Sequence, residues 1–220
     1  MPKDGDAVPA PRGTPGARHI LVTGFEPFAG DSANPSQELA KALDGRIVGG
    51  CVARSLVLPV RHDAARDIVL EALGAPGLAA VVHLGLARGR ARIALERVAV
   101  NVLDYPIPDN QGDILRDAPC VAGGPAAHFS TLPLREILSE LTAEGIPAYL
   151  SNTAGTFLCN HTLYTTLHAL AGRGAAVPAG FVHLPFLPSM VAAHGLEEPS
   201  MDLGMMARAL EIVLGIVAAA

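Results

Sequence analysis

The stretch that decides the fold is Leu78-Ala79-Ala80-Val81-Val82-His83-Leu84, which is followed by Gly85. Every residue in it except His83 is apolar. A short apolar run that contains paired valines and ends at glycine indicates a strand with little contact with water. Such strands are typical of α/β sheets, in which helices cover the strands.

Strand-like and helix-like segments alternate on both sides of this run. The predicted strands cover residues 19–23, 51–58, 78–84, 92–102, 147–151 and 180–184, and the predicted helices cover residues 37–43, 61–73, 131–144, 159–170 and about 200–218. This alternation predicts one three-layer α/β domain over residues 19–220, with ligands bound near the ends of the strands. Residues 1–18 are rich in proline and polar residues and are predicted to form a disordered tail.

Composition excludes several classes of protein. The 220 residues are 50% hydrophobic and 17% charged, which indicates a globular chain, and the net charge of -5 offers no general basic field for nucleic acid or an anionic membrane. Residues 1–18 contain no apolar signal segment, and the apolar run at 212–220 is too short to span a bilayer. These features predict a soluble cytoplasmic protein. Three widely spaced cysteines indicate neither a disulfide framework nor a zinc ribbon, and no cluster has metal-ligand spacing.

Cys159 is the candidate nucleophile. The segment Ser151–Cys159, SNTAGTFLC, carries a predicted strand through a loop of small residues into a helix whose first turn contains the sulfur. The N–H groups and partial positive charge of a helix N-terminus favour a thiolate and can also hold an oxyanion. The alternative is an inert thiol that fills a gap in the core. Cys51, at a strand start, and Cys120, in a loop, have no such placement.

His183 is the candidate base for this nucleophile. It ends the predicted strand at 180–184 and precedes a proline-containing loop, at the sheet edge where a site would open. His161 follows Cys159 by two residues, so on a helix it points about 200° away from the sulfur. A purely structural role for His183 remains the alternative.

Glu96 is the candidate third member, which would orient the histidine and stabilise its protonated form. In a strand over 92–102 it would share a face with Val98, Val100 and Val102, and a partly desolvated glutamate needs a partner. The alternative is a surface ion pair with one of the neighbouring arginines, Arg90 or Arg97.

The loop Thr23–Gly30, TGFEPFAG, follows the first predicted strand. Asp31 stands where a phosphate-binding loop would have lysine, and the glycine spacing does not match a dinucleotide fingerprint, so nucleotide binding is not favoured. Phe25 and Phe28 are candidates for the lining of an apolar slot. Alternatively, they simply cap the core.

Several segments together resemble pyroglutamyl peptidase I, a family of cytosolic cysteine peptidases also called pyrrolidone-carboxylate peptidases. They occur in the family's order between about residues 19 and 190. The matching stretches are LVTGFEPF (21–28) with Asn34-Pro35, ERVAVN (96–101), IPDN (107–110) with Gly112, GGPAA (123–127), FSTLP (129–133), Gly145 to Pro147, SNTAGTFLCN (151–160) and GFVHLPFLP (180–188).

The resemblance implies an α/β/α sandwich with a mixed, mostly parallel sheet, no metal or cofactor, and usually a homotetramer. It also implies that the substrate is a peptide with an N-terminal pyroglutamyl residue, cleaved through a thioester. The family's catalytic glutamate, cysteine and histidine fall on Glu96, Cys159 and His183. Its pocket residues fall on Phe25, Phe28, Ile107, Phe157 and Leu158.

The sequence departs from the family pattern near the substrate. Tyr105-Pro106 stands where many members have Ala-Arg, Leu86 stands where some have glutamine, and Pro188-Ser189-Met190 replaces a commoner Pro-Glu-Gln. These departures remove no catalytic residue. Two other classes stay open: a ligand-binding α/β protein with an inert Cys159, and another hydrolase or a phosphorylase-like enzyme that uses the same loops.

Overall fold

A computed structural model of the chain describes residues 18–195 and 197–220. The predicted tail therefore lies, apart from Arg18, outside the described residues. The strands are β1 (His19–Phe25), β2 (Ile47–Val48), β3 (Cys51–Leu58), β4 (Leu78–Leu86), β5 (Ile93–Glu96), β6 (Val98–Val100), β7 (Ala127–Phe129), β8 (Ala148–Ser151) and β9 (Ala179–Leu184). The helices are α1 (Pro35–Leu43), α2 (His62–Ala72), α3 (Leu134–Ala143), α4 (Leu158–Gly172), α5 (Pro188–His194) and α6 (Leu203–Ala219).

The main sheet of the described chain has the strand order β2-β3-β1-β4-β9-β5-β8. The pairs β3–β1, β1–β4, β4–β9 and β5–β8 are parallel, whereas β2–β3 and β9–β5 are antiparallel. The predicted mixed, mostly parallel sheet is confirmed.

Helices cover both faces of this sheet and form two separate hydrophobic cores. On one face α1, α3 and α6 pack against alternate strand residues such as Val82 and Leu84 of β4. On the other face α2 and α4 pack against Val81 of β4 and Phe181 of β9. Because successive side chains of a strand point to opposite faces, β4 must be apolar on both. This double burial explains the apolar run from which the fold was predicted.

The loop between β1 and α1 is fixed by local sequence. Asn34 caps α1 as its Oδ1 accepts a hydrogen bond from the backbone N–H of Ser36 at 3.0 Å, and Pro35 occupies the first turn. A Cβ atom at Gly24 would lie 2.0 Å from the carbonyl oxygen of Ser36. Glycine is therefore required where β1 passes the start of α1, and this close approach fixes the loop that carries Phe28.

The single strand predicted over 92–102 is wrong. The strand breaks at Arg97, after which β6 leaves the main sheet and pairs with β7 in a two-stranded sheet. The side chain of Asn160, at the start of α4, holds β6 in this position: it accepts from the backbone N–H of Val100 at 2.9 Å and donates to the carbonyl of Val102 at 3.0 Å. Glu96 consequently does not share a strand face with the valines that follow it.

Two further differences concern short elements. Residues 185–188 were expected as a loop, but Pro188 begins the seven-residue helix α5. The two-residue strand β2 extends the sheet beyond β3 and has no sequence pattern of its own. Within the described part of the chain, no helix is both long enough and apolar enough to cross a membrane.

Candidate active site

The register of β5 and β9 brings Glu96 and His183 together. These strands are antiparallel, with Ala94 opposite His183 and Glu96 opposite Phe181. The side chains of Glu96 and His183 lie on the face of the sheet that α4 covers, and the Glu96 Oε1 atom is 2.7 Å from His183 Nδ1. Both are buried, at 0% and 4% exposure. The predicted carboxylate–histidine pair is thus present in the structure.

Glu96 is also paired with one of its neighbouring arginines. Arg90 Nη1 donates to the same Oε1 atom at 2.7 Å, whereas Arg97 donates to the side chain of Asn152 at 3.0 Å. Burial alone would raise the pKa of the Glu96 carboxyl, but the hydrogen bond and charge of His183, together with the hydrogen bond from Arg90, outweigh it and lower that pKa below its ordinary value. Glu96 is therefore ionised, and it forms an ion pair with Arg90 while it also binds His183.

His183 is neutral in this environment. Burial lowers the pKa of its imidazole, and Arg90 lowers it further, while the hydrogen bond and the negative charge of Glu96 act to raise it. Because Nδ1 donates its proton to the carboxylate, Nε2 carries the lone pair. The ring is thus oriented to accept a proton at Nε2.

Cys159 lies in the first turn of α4, above the strand next to β9. Its Sγ atom is 3.0 Å from the position that a Cβ atom would take at Gly85, and Gly85 is in register with His183 on the adjacent strand. Neighbouring strands are about 4.8 Å apart. The sulfur therefore lies beside His183 on the same face of the sheet, and glycine at position 85 makes room for it.

The thiol form of Cys159 predominates at rest. Burial raises the pKa of this thiol to about 12, Glu96 acts in the same direction, and Arg90 and the backbone N–H of Cys159 act in the opposite direction. Burial thus outweighs the helix N-terminus, from which a thiolate was expected. A nucleophile in this state needs a base to remove its proton as it reacts.

The remaining cysteines and His161 lie away from this arrangement. Cys51 is fully buried in β3. Cys120 donates towards the carbonyl oxygen of Val100 at 3.5 Å, and burial raises the pKa of its thiol to about 12. His161 packs against His62 of α2, with ring centroids 6.2 Å apart, so its predicted orientation away from the nucleophile is consistent with the structure.

A small apolar depression opens beside the sulfur. Its aromatic wall includes Phe28 and Phe157, which come from two different loops and have ring centroids 6.2 Å apart. Tyr105, from a third loop, supports this wall by meeting Phe157 edge-on at 4.6 Å. The lining residues are Phe25, Phe28, Asn34, Val60, Leu86, Phe157, Leu158 and Cys159. Four of the five residues that the family resemblance assigns to a pocket are among them.

Ile107, the fifth of those residues, is 37% exposed and is not among the residues that line the depression. Its role at the site stays a prediction. Sequence reasoning did not assign Val60 to the lining. It noted Leu86 only as a departure from the family pattern near the substrate, and Arg90 only as an alternative partner of Glu96. Leu86 lies two residues after the predicted apolar strand, which was a usable signal, but the contact of Val60 arises only when the strands are placed side by side.

A model of the pyroglutamyl peptidase family matches residues 18–220 of the chain. The chain belongs to this family. Among its relatives is the pyrrolidone-carboxylate peptidase of Pyrococcus furiosus, which is 41% identical over 198 residues, 89% of this chain and 95% of that protein. The pyrrolidone-carboxylate peptidase of Klebsiella pneumoniae is 46% identical over 197 residues, 90% of this chain and 91% of that protein.

Solved structures of the family have the same fold. The crystal structure of pyrrolidone carboxyl peptidase from Pyrococcus furiosus matches with a TM-score of 0.87 at 40% identity, covering 90% of this chain and 97% of that one. Family membership and fold class, both predicted from the resemblance, are confirmed.

Proposed function

We propose that the chain removes N-terminal pyroglutamate from peptides, with Cys159 as nucleophile, His183 as base and Glu96 as the group that orients and stabilises the histidine. Membership of the pyroglutamyl peptidase family makes it a cysteine-type pyroglutamyl peptidase. The observation that carries the assignment of residues is the 2.7 Å hydrogen bond between Glu96 and His183, on the sheet face where the sulfur of Cys159 lies.

In the first step the sulfur of Cys159 forms a bond to the carbonyl carbon of the pyroglutamyl residue as His183 Nε2 takes the thiol proton. The carbonyl oxygen becomes an oxyanion, which the N–H groups at the start of α4 stabilise. The C–N bond then breaks, and His183 delivers its proton to the leaving amine. A thioester of pyroglutamate remains on the enzyme.

In the second step water attacks the thioester, and His183 takes a proton from that water. The C–S bond breaks, the proton returns to the sulfur, and pyroglutamate leaves as the acid. Glu96 stabilises the imidazolium in both steps, because its carboxylate faces the ring nitrogen that does not exchange protons with the substrate.

The depression beside Cys159 suits a small neutral ring. Pyroglutamate is a lactam with no N-terminal ammonium group, so it can enter an apolar depression lined by Phe28 and Phe157 without bringing a charge. An N-terminal glutamine or glutamate would bury an ammonium group or a carboxylate, which costs several kcal/mol without partners. A prolyl residue fits the slot but lacks the ring carbonyl and carries a charged ring nitrogen.

The test compares four chromogenic amides: pyroglutamyl, prolyl, glutaminyl and glutamyl. We expect kcat/KM for the pyroglutamyl amide to exceed the other three by about a thousandfold or more, because each of the others would bring a charged group into the apolar slot. Similar values for the prolyl and pyroglutamyl amides would refute the lactam slot.

Cysteine variants test the nucleophile. Cys159→Ser should abolish turnover of the pyroglutamyl amide, because a hydroxyl in this position is far less nucleophilic than a thiol. Cys51→Ser and Cys120→Ser are the matched controls and should keep most of the activity. Full activity of Cys159→Ser would contradict the mechanism.

The quaternary structure and location belong to the same proposal. The homotetramer rests on the family resemblance, and Phe129, 66% exposed at the end of β7, is an apolar side chain available for contact between copies. Sedimentation that shows only monomers at micromolar concentration would contradict assembly.

All three cysteines are free thiols, which fits a reducing compartment such as the cytosol, and cell fractionation tests that location.

A further inference from the structure

A second cluster of metal-ligating side chains lies outside the triad. It consists of His62, the first residue of α2, and Asp109 and Asp113, both in the segment between β6 and β7. One ligand atom from each residue lies within 4.8 Å of the other two. The sequence gives no sign of this cluster, because His62 and the two aspartates are far apart in the chain and meet only when α2 packs beside that segment.

Asp109 points an unpaired carboxylate oxygen into the cluster. Its Oδ1 atom accepts hydrogen bonds from the backbone N–H groups of Gln111 at 2.9 Å and Asp113 at 3.0 Å, which fixes the side chain. Its Oδ2 atom is buried and has no hydrogen-bond partner among the described residues, and the side chain is only 1% exposed. A buried carboxylate oxygen without a partner is unfavourable, so Oδ2 calls for a cation or a donor.

His62 presents the matching nitrogen. Its Nε2 atom is 3.2 Å from Asp63 Oδ1, while its Nδ1 atom is 3.9 Å from Asp109 Oδ2. Of the two ring nitrogens, Nδ1 is thus the one that faces the unpartnered oxygen of Asp109. A neutral imidazole with its lone pair on that nitrogen can bind a metal ion there.

We propose that His62 Nδ1, Asp109 Oδ2 and a carboxylate oxygen of Asp113 bind a first-row divalent metal ion. One imidazole and two carboxylates form a donor set suited to Mn²⁺ or Zn²⁺. Ligand atoms about 2.1 Å from an ion lie roughly 3 Å from one another, so the 3.9 Å gap between His62 and Asp109 closes by a small side-chain movement. Asp113 is exposed, which gives the ion a path from solvent and leaves positions for water.

The cluster is connected to the depression beside Cys159. Asn110, between the two aspartates, donates its backbone N–H to the carbonyl of Val60 at 2.9 Å and its side-chain amide to Glu26 Oε1 at 2.8 Å. Glu26 Oε1 in turn accepts from the backbone N–H of Val60, which lines the depression. An ion that holds Asp109 against His62 therefore fixes the position of Val60. This coupling to substrate binding rests on the proposed function, whereas the ion site does not.

The experiment titrates the full chain with MnCl₂ and follows free Mn²⁺ by electron paramagnetic resonance, a probe that avoids the thiol ligands preferred by zinc. We expect saturable binding of one ion per chain. His62→Gln and Asp113→Asn should each weaken the binding at least tenfold. Asp67→Asn is the matched control, since Asp67 is an exposed carboxylate of α2 outside the cluster, and it should bind as the unmodified chain does.

Two results would overturn the site: no saturable binding at millimolar Mn²⁺, or binding that both His62→Gln and Asp113→Asn leave unchanged. Because Asp113 is exposed, its variant should fold even if the His62 variant does not. The coupling is tested separately by KM for the pyroglutamyl amide, which should fall at least twofold on adding Mn²⁺ to the unmodified chain but not to Asp113→Asn. A KM that does not respond to Mn²⁺ would refute the coupling. The resonance titration does not depend on catalytic activity, so it tests the ion site even if the protein is inactive.

Discussion

Glu96→Gln removes a charge from the centre of the active site and preserves its shape. A glutamine carbonyl oxygen can accept the hydrogen bonds that Glu96 Oε1 accepts from His183 Nδ1 and Arg90 Nη1, each at 2.7 Å. The attraction between a carboxylate and the imidazolium that forms when His183 takes the thiol proton is lost. We therefore expect a folded variant that binds substrate but turns it over slowly.

The structure gives the size of the effect. Opposite unit charges centred about 4 Å apart attract by about 4 kcal/mol at an effective dielectric constant near 20. Arg90 repels the imidazolium in the unmodified chain and in the variant alike, so its contribution cancels in this comparison. The carbonyl dipole of the glutamine recovers part of the lost attraction. A loss of about 2 to 4 kcal/mol corresponds to a decrease in kcat of roughly 30- to 1000-fold.

The same substitution should shift two titrations in one direction. Glu96 acts to raise the pKa of His183 and also the pKa of the Cys159 thiol, so both pKa values should fall in the variant. The acidic limb of the kcat/KM profile should therefore move to lower pH. Alkylation of Cys159 by iodoacetamide should also begin at lower pH, although turnover has decreased.

The assay measures kcat and KM for the pyroglutamyl amide across the pH range in which the protein is folded, together with the alkylation rate. Glu144→Gln serves as the control, because Glu144 is exposed and pairs with Arg208 at the surface. An unchanged kcat in Glu96→Gln would refute the stabilising role of the carboxylate. A shift of the acidic limb to higher pH would refute the electrostatic argument.

Three further outcomes follow from the same geometry. Gly85→Ala should lower kcat at least tenfold, because its Cβ would lie 2.7 Å from the Phe181 ring and 3.0 Å from Cys159 Sγ and would displace both. Gly172→Ala, where a Cβ meets no atom within 4 Å, should behave as the unmodified chain, and equal kcat values for the two variants would contradict the close contacts. Burial lowers the pKa of His83 to about 3 and that of His161 to about 4. As pH falls, these side chains therefore become protonated in the unfolded chain at a higher pH than in the folded chain. The free energy of unfolding, measured with urea, should thus decrease as pH falls below about 6.5 towards 4. The decrease should be up to about 1.4 kcal/mol per pH unit for each histidine. A free energy of unfolding that stays level over this range would be inconsistent with both histidines being buried in the neutral form. Iodoacetamide should label Cys159 more slowly than a free cysteine near neutral pH, since burial raises the pKa of its thiol, and labelling as fast as free cysteine would indicate a resting thiolate.

The sequence by itself determined the features that depend on neighbours along the chain. The apolar run at 78–84 predicted β4, the helix predicted over 37–43 is α1 without its first two residues, and the segment after Ser151 placed Cys159 in the first turn of α4. Each follows from local periodicity, capping or backbone preference, which act over a few residues. The three triad candidates were chosen from their placement in the predicted elements, and the motifs that resemble the family pointed to the same residues and to most of the pocket.

Only the tertiary structure decided what depends on residues that are distant in the chain. The break at Arg97 was not predictable from the alternating pattern, because the side chain that holds β6 away from the main sheet belongs to Asn160. The resting state of Cys159 likewise follows from desolvation of its sulfur by neighbouring elements, which raises the pKa of the thiol against the influence of its own helix. His62 and Asp109 meet through the packing of α2, and spacing along the chain carries no information about such contacts. Desolvation, charge pairing and cross-strand register depend on separations in space, and these are set only when the sheet and its helices assemble.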